Sequence, residues 1–312
     1  MRPTFALTLL ALLFASPALP QPKPKIFQIA KVQIYVTNLD ASRHFYSAVT
    51  GIDAPCDWCE HPSGAPLLFT LPSHQLLELV PTKSDRANFL GRICFTVDDL
   101  QLLRQLLTAN NIFFHETDLK ILSSHGDRTV PHLLVNDPDG HELEFWTSAD
   151  GPFQPLQHPL PATNGYVAQR LIHAGFIVKN QPAMEHFYKD ILGFHVYWHG
   201  GMQDNRTDWL DMQVPDGTDW VEFMLNIPDD ADKHLRGVMN HIALGVPSVQ
   251  RADQQLLDSH LPLPINEKPK IGRDGKWQLN LYDPDDTRVE LMDFTPTETP
   301  CCSTFTGPHP KP

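Results

Sequence analysis

The stretch HFYSAVTGI at residues 44–52 returns as HFYKDILGF at residues 186–194, with its aromatic and glycine positions equally spaced. An alternating apolar run precedes each copy, at residues 32–36 and 172–178. Apolar residues at alternate positions predict a strand, and a glycine after an amphipathic run is typical of a helix end. The sequence therefore predicts a strand followed by a helix at two matching places in the chain.

A second repeat closes each half of the chain. The turn sequence DPDG at residues 137–140 leads to Glu144, and DPDD at residues 283–286 leads to Glu290. Each glutamate lies among apolar residues in a segment that predicts a strand after a tight turn. The two halves are thus expected to have the same fold.

Within each half, a further strand-to-helix pattern begins near Ile93 and Ile242. We predict an α+β fold of four βαβββ modules, at residues 26–83, 88–148, 166–228 and 237–295. The modules pair into two domains with a linker between them and a Pro/Thr-rich tail that we expect to be disordered. The predicted boundaries are residues 26–148 and 166–295 for the domains, 149–165 for the linker and 296–312 for the tail.

Composition and charge limit the possible partners. The 312-residue chain has a formal net charge of -13, which repels phosphate backbones, so no nucleic-acid partner is expected. Residues 1–18 contain a short apolar run that ends in a small-x-small pattern typical of signal-peptide cleavage. An uncleaved membrane anchor is the alternative, but the run is shorter than the roughly 20 residues that span a bilayer. We expect a secreted or periplasmic protein, monomer or homodimer, with no membrane partner after cleavage.

Five cysteines follow the predicted signal: Cys56, Cys59, Cys94, Cys301 and Cys302. Export permits disulfides. The C-x-x-C at residues 56–59 is also compatible with a redox or zinc motif, although an isolated motif on a proline-rich loop is a weak signal. The sequence favours structural or incidental cysteines and leaves their pairing open.

Two histidines and two glutamates occupy matching positions of the third and fourth modules. His173 and His241 lie in first strands, and Glu222 and Glu290 lie in last strands, each 49 residues after the histidine of its module. Taken singly, each has an ordinary explanation as a core histidine or an exposed glutamate. Together they predict a metal site, because two carboxylates buried in apolar strands are costly without a cation. Two nitrogens and two oxygens suit zinc, nickel, cobalt, iron or manganese.

These four positions, the HFY helix and the DPD strand resemble the vicinal-oxygen-chelate (VOC) superfamily over nearly all of residues 26–295. That superfamily includes glyoxalase I, extradiol ring-cleaving dioxygenases, methylmalonyl-CoA epimerase, and antibiotic-binding and fosfomycin-resistance proteins. The resemblance implies that paired modules form a cup-shaped sheet around a metal held by His173, Glu222, His241 and Glu290. Glutamate at the second ligand position, between two histidines, is most similar to glyoxalase I.

The first domain departs from this pattern, since its matching positions hold Lys31, Glu78, Arg92 and Glu144. A fixed positive charge cannot bind a metal as an imidazole does, but Lys31 and Arg92 can neutralise the two carboxylates directly. We therefore expect a degenerate first domain in which ion pairs replace the metal.

The resemblance implies a glyoxalase-like isomerase or lyase that acts on a small molecule with adjacent oxygens through an enediolate. Glu290 is then the expected base, and Glu222 a ligand or second proton carrier. The first alternative is an extradiol-type iron dioxygenase with the triad His173, His241 and Glu290. That family carries a tyrosine ten residues before its ligand glutamate, where this chain has Asn280. The second alternative is a non-catalytic binding protein of the bleomycin-resistance type.

Two further points concern the arrangement of the site. The sequence leaves open whether modules three and four pair with each other or exchange with other modules, which would divide the four residues between two sites. His44 and His186 lie on predicted helices beside aromatic residues and are expected in packing or surface positions. The remaining cluster of first-domain histidines receives no role: His125, His132 and His141.

Overall fold

The computed structural model describes residues 22–52, 66–83, 86, 88–121, 128–147, 165–259 and 267–312. The predicted export signal, Cys56, Cys59, His125 and all but the last residue of the predicted linker lie outside these residues. No helix in the described part of the chain is long and apolar enough to cross a membrane.

The described residues of the first domain contain one seven-stranded sheet with spatial order β2-β3-β1-β4-β7-β6-β5. Helix α1 (Leu39–Thr50) follows β1, and α2 (Leu100–Ala109) follows β4. Strands β1 and β4, which begin the two modules, pair antiparallel near the centre of the sheet. The strands are β1 (Ile26–Val36), β2 (Leu67–Thr70), β3 (Leu76–Pro81), β4 (Leu90–Val97), β5 (Phe114–Ile121), β6 (Arg128–Asn136) and β7 (Glu142–Thr147).

The described residues of the second domain contain an eight-stranded sheet with spatial order β13-β14-β15-β12-β8-β11-β10-β9. The strands are β8 (Arg170–Ile177), β9 (His195–Gly200), β10 (Trp209–Gln213), β11 (Trp220–Met224), β12 (His241–Val246), β13 (Lys270–Ile271), β14 (Trp277–Tyr282) and β15 (Arg288–Asp293). The helices are α3 (Gln181–Glu185), which continues as a π-helical segment over His186–Leu192, α4 (Lys233–Met239) and α5 (Val249–Asp258).

This topology confirms the predicted α+β fold and shows how modules three and four combine. Strand β8 of module three pairs antiparallel with β12 of module four. Strand β8 also pairs in parallel with β11, and β12 pairs in parallel with β15. All four candidate metal ligands therefore lie on neighbouring strands of one sheet, and they are not divided between two sites.

The two HFY helices end at the predicted glycines. Gly51 and Gly193 have φ angles of 74° and 91°, in the left-handed region that favours glycine. At Gly51 a Cβ atom would lie 2.5 Å from the carbonyl oxygen of Gly165, the residue that precedes the second domain. Gly51 therefore both ends its helix and permits the two domains to approach closely.

The repeated motifs of the two domains bind each other reciprocally. Tyr46 of the first HFY stretch donates a hydrogen bond to Asp283 of the second DPD turn (3.0 Å). Tyr188 of the second HFY stretch donates to Asp137 of the first DPD turn (3.2 Å). All four groups are buried, so these contacts lie inside the domain interface. A second symmetric pair joins the backbone amides of Thr37 and Lys179 to Asp285 and Asp139, each at 2.7 Å.

Removing the Tyr46 hydroxyl is expected to destabilise the protein more than removing that of Tyr188. The carboxylate oxygen that accepts from Tyr188 also contacts His141 (2.8 Å), whereas no other described side chain contacts the oxygen facing Tyr46. We expect Tyr46→Phe to cost about 2 kcal/mol and Tyr188→Phe about 1 kcal/mol. Burial raises the pKa of Asp283 to about 7, so urea unfolding should be measured at pH 8, where this carboxylate is charged. Equal losses would contradict the assignment of the acceptors.

Residues 296–312, predicted to be disordered, instead pack along the edge strand β9. The Thr306 amide donates to the Tyr197 carbonyl (3.0 Å), and the Phe305 ring lies 4.8 Å from the Tyr197 ring. The prediction was wrong because composition does not reveal that an open strand edge and nearby rings offer this segment binding partners. The tail is part of the second domain's structure.

The structure also assigns the cysteines in its described part. Cys301 and Cys302 form a disulfide between adjacent residues of the tail. Cys94 is a buried free thiol on β4.

Candidate metal centre

His173 and His241 face each other across two central strands. Their Nε2 atoms lie 3.1 Å apart, and both side chains are buried. The His241 ring fits because Gly175 lies opposite it on β8, where a Cβ atom would be only 2.0 Å from the imidazole Cε1. The antiparallel register of β8 and β12 thus brings together two histidines that lie far apart in the sequence.

The two glutamates approach these imidazoles from the flanking strands. Glu222 Oε2, on β11, lies 3.0 Å from His241 Nε2 and 3.7 Å from His173 Nε2. Glu290 Oε2, on β15, lies 3.5 Å from His173 Nε2. The structure therefore brings together all four residues that the sequence predicted.

The protonation of the histidines suits metal binding. Burial lowers the pKa of His173 well below its ordinary value, and it does the same for His241, where the neighbouring Arg288 lowers the pKa further. The His241 Nδ1 atom lies 3.2 Å from the Met239 carbonyl oxygen, an acceptor that places the ring proton on Nδ1. The His241 Nε2 lone pair is therefore directed into the site, as in metal-binding histidines generally.

The donor atoms fit a divalent transition metal. One donor atom each from His173, His241 and Glu290 lies within 4.8 Å of the other two. Burial raises the pKa of Glu290 to about 7; the nearby Arg288 guanidinium acts to lower this pKa, and the carboxylate of Glu222 acts to raise it. Two neutral imidazoles and a buried carboxylate form the donor set typical of first-row transition metals.

Arg288 also reaches this site, which the sequence analysis did not predict. Its Nη2 atom lies 2.7 Å from His241 Nε2. Arg288 precedes Glu290 by two residues on β15, so both side chains project from the same face of the strand. This guanidinium engages the lone pair that a metal would need.

Replacing Arg288 with methionine is therefore expected to tighten metal binding. The variant removes both the competing hydrogen bond and a repelling positive charge, and we expect about tenfold higher affinity for Zn²⁺. Competition with a chromophoric chelator measures the change. Arg273→Met is the matched control, because Arg273 lines the same cavity but is paired with Asp204. Unchanged or weaker binding in Arg288→Met would show that the guanidinium does not compete with the metal.

The site opens into a cavity of about 270 Å³. This volume is at the small end of the range for ligand pockets. Its lining combines apolar and aromatic side chains with acidic and basic groups. The apolar and aromatic residues are Trp198, Met202, Trp209, Trp220 and Met292, and the charged residues include Asp211, Glu222, Lys270, Arg273, Asp274, Arg288 and Glu290.

Lys276, which the sequence analysis also missed, lies next to the cavity wall. Its side chain is fully buried, and its ammonium makes no hydrogen bond with the described residues. The Nζ atom lies 4.5 Å from the centre of the Trp220 ring and 3.9 Å from Asp274 Oδ2. Burial lowers the pKa of Lys276, and the surrounding carboxylates oppose this effect. Lys276 thus places a positive charge beside the acidic groups of the site.

The first domain contains the predicted ion pairs at the matching positions. Lys31 Nζ lies 3.1 Å from Glu78 and 3.3 Å from Glu144. Arg92 lies 3.9 Å from Glu144 and 3.2 Å from Glu142. Burial acts to lower the pKa of Lys31, but the two glutamates outweigh it and raise the pKa, so the ammonium stays charged. Fixed cations therefore balance the carboxylates of this domain.

Comparison with solved structures gives the same architecture. An extradiol ring-cleaving dioxygenase from B. fuscum is 20% identical, with a TM-score of 0.65 over 94% of this chain and 77% of that one. Homoprotocatechuate 2,3-dioxygenase from Arthrobacter globiformis is 19% identical, with a TM-score of 0.62 over 89% of this chain and 82% of that one. At this level of identity the likeness shows the fold alone. No curated protein sequence matches the chain.

Comparison with protein families is more direct. The model of the Glyoxalase/Bleomycin resistance protein/Dioxygenase superfamily matches residues 28–145 and 170–291. These two segments cover well over half of the chain and coincide with the two sheets. The expected resemblance is confirmed, and the chain belongs to the Glyoxalase/Bleomycin resistance protein/Dioxygenase superfamily as a member with two tandem domains.

Proposed function

We propose that the second domain is a metal-dependent enzyme of the glyoxalase-like isomerase or lyase type. Its substrate is a small molecule that carries oxygen atoms on neighbouring carbons. The observation that best supports this proposal is the position of Glu222, which contacts both imidazoles and lines the cavity. A carboxylate at this place can exchange a proton with a substrate bound beside the metal ligands.

The two glutamates have different surroundings, which suggests different roles. The side chain of Glu290 is 4% exposed and that of Glu222 is 13% exposed. Glu290 would hold the divalent ion together with His173 and His241. Glu222 would take a proton from a substrate carbon and return it to the neighbouring carbon. This division reverses the roles expected from the sequence, in which Glu290 was the base.

A bound divalent ion supplies Lewis-acid stabilisation of negative charge on the substrate oxygens. The other groups of the site adjust the charge around Glu222. Asp211 lies directly opposite Glu222 on the adjacent strand β10. Burial raises the pKa of Asp211 well above its ordinary value, and Glu222 raises it further. The raised pKa favours the neutral form of Asp211, which reduces the repulsion between this group and Glu222.

Iron-dependent ring cleavage is the second candidate function. It is favoured by the likeness to solved extradiol dioxygenases and by the triad of His173, His241 and Glu290. Asn280 lies opposite Glu290 in the strand register, at the position where the resemblance implies a tyrosine in that enzyme class. Glu222 adds a second carboxylate, which a triad of two histidines and one carboxylate does not require.

Two measurements on the purified protein separate these candidates. Elemental mass spectrometry is expected to find about one zinc, nickel or cobalt ion per chain, whereas iron would favour ring cleavage. The loaded protein is then incubated in D₂O with glyceraldehyde, hydroxyacetone or hydroxypyruvate, and proton magnetic resonance follows exchange at the hydroxyl-bearing carbon. Oxygen uptake with catechol is measured in parallel. A protein that cannot be loaded with metal would overturn both enzyme proposals and leave a binding protein.

We also propose that the protein acts outside the cytoplasm. The support is the amino-terminal sequence, whose apolar run precedes a small-x-small pattern. Sequencing the amino terminus of the protein from the producing cell tests this, since cleavage after about residue 18 is expected. An intact residue 1 on a protein retained in the cytoplasm would refute export.

A further inference from the structure

Arg288 differs from the other basic groups that line the cavity. Three cationic side chains line it: Lys270, Arg273 and Arg288. The first two have carboxylate partners, Glu267 and Asp204. Arg288 forms no ion pair with any carboxylate that the structure describes, and its buried Nε atom has no hydrogen-bond partner there. Its one close polar contact among the described residues is the His241 imidazole, 2.7 Å away.

At the matching positions of the first domain, the positive charges are balanced by carboxylates. The position that matches Arg288 holds Glu142, and this glutamate pairs with Arg92, the residue that matches His241. Both cations of that cluster, Lys31 and Arg92, therefore have carboxylate partners. In the second domain no described carboxylate lies within ion-pair distance of the Arg288 guanidinium, and only the longer-range attraction of Glu290 offsets part of its charge, so its N–H donors remain available for a ligand.

We propose that Arg288 binds a carboxylate of the substrate, and that the substrate is a small 2-oxo or 2-hydroxy carboxylic acid. The inference rests on the proposed function, because the substrate oxygens must lie beside the same two histidines. A guanidinium presents a planar pair of N–H donors that matches a carboxylate in geometry and charge. The Arg288 guanidinium contacts His241, one of the proposed metal ligands. A carboxylate bound by Arg288 would therefore lie next to the substrate oxygen that binds the metal.

The charges of the cavity are compatible with an anionic ligand once a metal is present. A divalent ion neutralises Glu222 and Glu290, the two carboxylates that approach the imidazoles. The other two acidic groups are Asp211 and Asp274, and Lys276 lies beside them. Among the described lining residues, Arg288 is then the cation without a carboxylate within ion-pair distance.

The test compares a charged ligand with its neutral ester. The Zn²⁺-loaded full chain is titrated with pyruvate and with methyl pyruvate, and binding is followed by calorimetry and by the fluorescence of the cavity tryptophans. We expect pyruvate to bind at least about tenfold tighter than the ester. Arg288→Met should abolish this preference while binding Zn²⁺ as tightly as wild type or tighter. Arg288→Lys should retain part of the preference, since it keeps the charge and loses the planar fork.

Arg273→Met is the matched control, since it removes a cation that already has a partner, and it should keep the full preference. An equal loss in this control would overturn the proposal, because it would indicate general attraction of anions. A loss of both Zn²⁺ and pyruvate in Arg288→Met, with Arg288→Lys equally impaired, would overturn it too, because Arg288 would then support the metal site and not a ligand carboxylate. If wild type binds one Zn²⁺ but does not distinguish acid from ester, this inference fails while the proposed metal enzyme stands. If wild type binds no Zn²⁺, both fail.

Discussion

Substitution of His241 with alanine is expected to remove divalent metal from the protein. His241 offers its Nε2 lone pair at a point 3.1 Å from His173 Nε2 and 3.0 Å from Glu222. Loss of a direct ligand should lower metal affinity by at least about 100-fold, since even supporting groups around metal ligands contribute 10- to 100-fold. Elemental mass spectrometry after dialysis should find about one ion per chain in wild type and almost none in the variant.

The control for this experiment is His186→Ala. His186 is an exposed histidine of the repeated HFY stretch, and it contacts Asp190 on the helix surface. This variant should keep its metal and its stability. Because His241 is fully buried, the alanine variant is also compared with His173→Ala, and urea unfolding verifies that both remain folded. Full metal content in folded His241→Ala would refute the proposed centre.

Substitution of Glu222 with glutamine is expected to separate catalysis from metal binding. The proposed division of roles makes Glu222 the proton carrier and Glu290 a ligand. Removal of a positioned general base typically costs about 10²- to 10⁴-fold in rate. Glu222→Gln should therefore keep close to one metal ion per chain while its rate of carbon–hydrogen exchange falls at least about 100-fold.

The matched variant is Glu290→Gln, which changes the other carboxylate of the same site. This variant should bind metal more weakly than wild type. Its exchange rate should therefore be low at low metal concentration and recover in part at high metal concentration. The opposite result, with metal lost in Glu222→Gln and retained in Glu290→Gln, would restore the roles expected from the sequence. Unchanged exchange in Glu222→Gln would show that another group carries the proton and would refute the role assigned to Glu222.

The fold and the four site residues were predictable because they are tied to repeats. The HFY stretches and the DPD turns mark equivalent places in two similar domains, and the equal histidine-to-glutamate spacing places each pair on adjacent parallel strands. The sequence could not reveal which modules pair, since this depends on the antiparallel contact of β8 with β12. The structure supplied that contact and with it a single site.

The residues that the sequence analysis missed, Arg288 and Lys276, lie in the fourth module but are not part of either repeated motif. Arg288 had one usable signal, its place two residues before Glu290 on the same strand face. The comparison of the two domains drew attention to Lys31 and Arg92, which replace the two histidines. It overlooked that Glu142 of the first domain is replaced by an arginine, Arg288, in the second. Lys276 had no comparable signal, because its burial depends on rings from distant segments, including Phe305 of the tail.

The reciprocal contacts between the HFY and DPD motifs bear on how such a chain evolves. After duplication of an ancestral unit, one copy can lose its ligand histidines without harm if the other copy retains the chemistry. It cannot be deleted as easily, because Tyr188 of the second domain donates a hydrogen bond to Asp137 of the first, and Tyr46 of the first domain donates one to Asp283 of the second. Selection on a copy that keeps its ligands would therefore act through the interface on its partner as well. A copy without ligands would be free to change at its former ligand positions but constrained where the two domains meet.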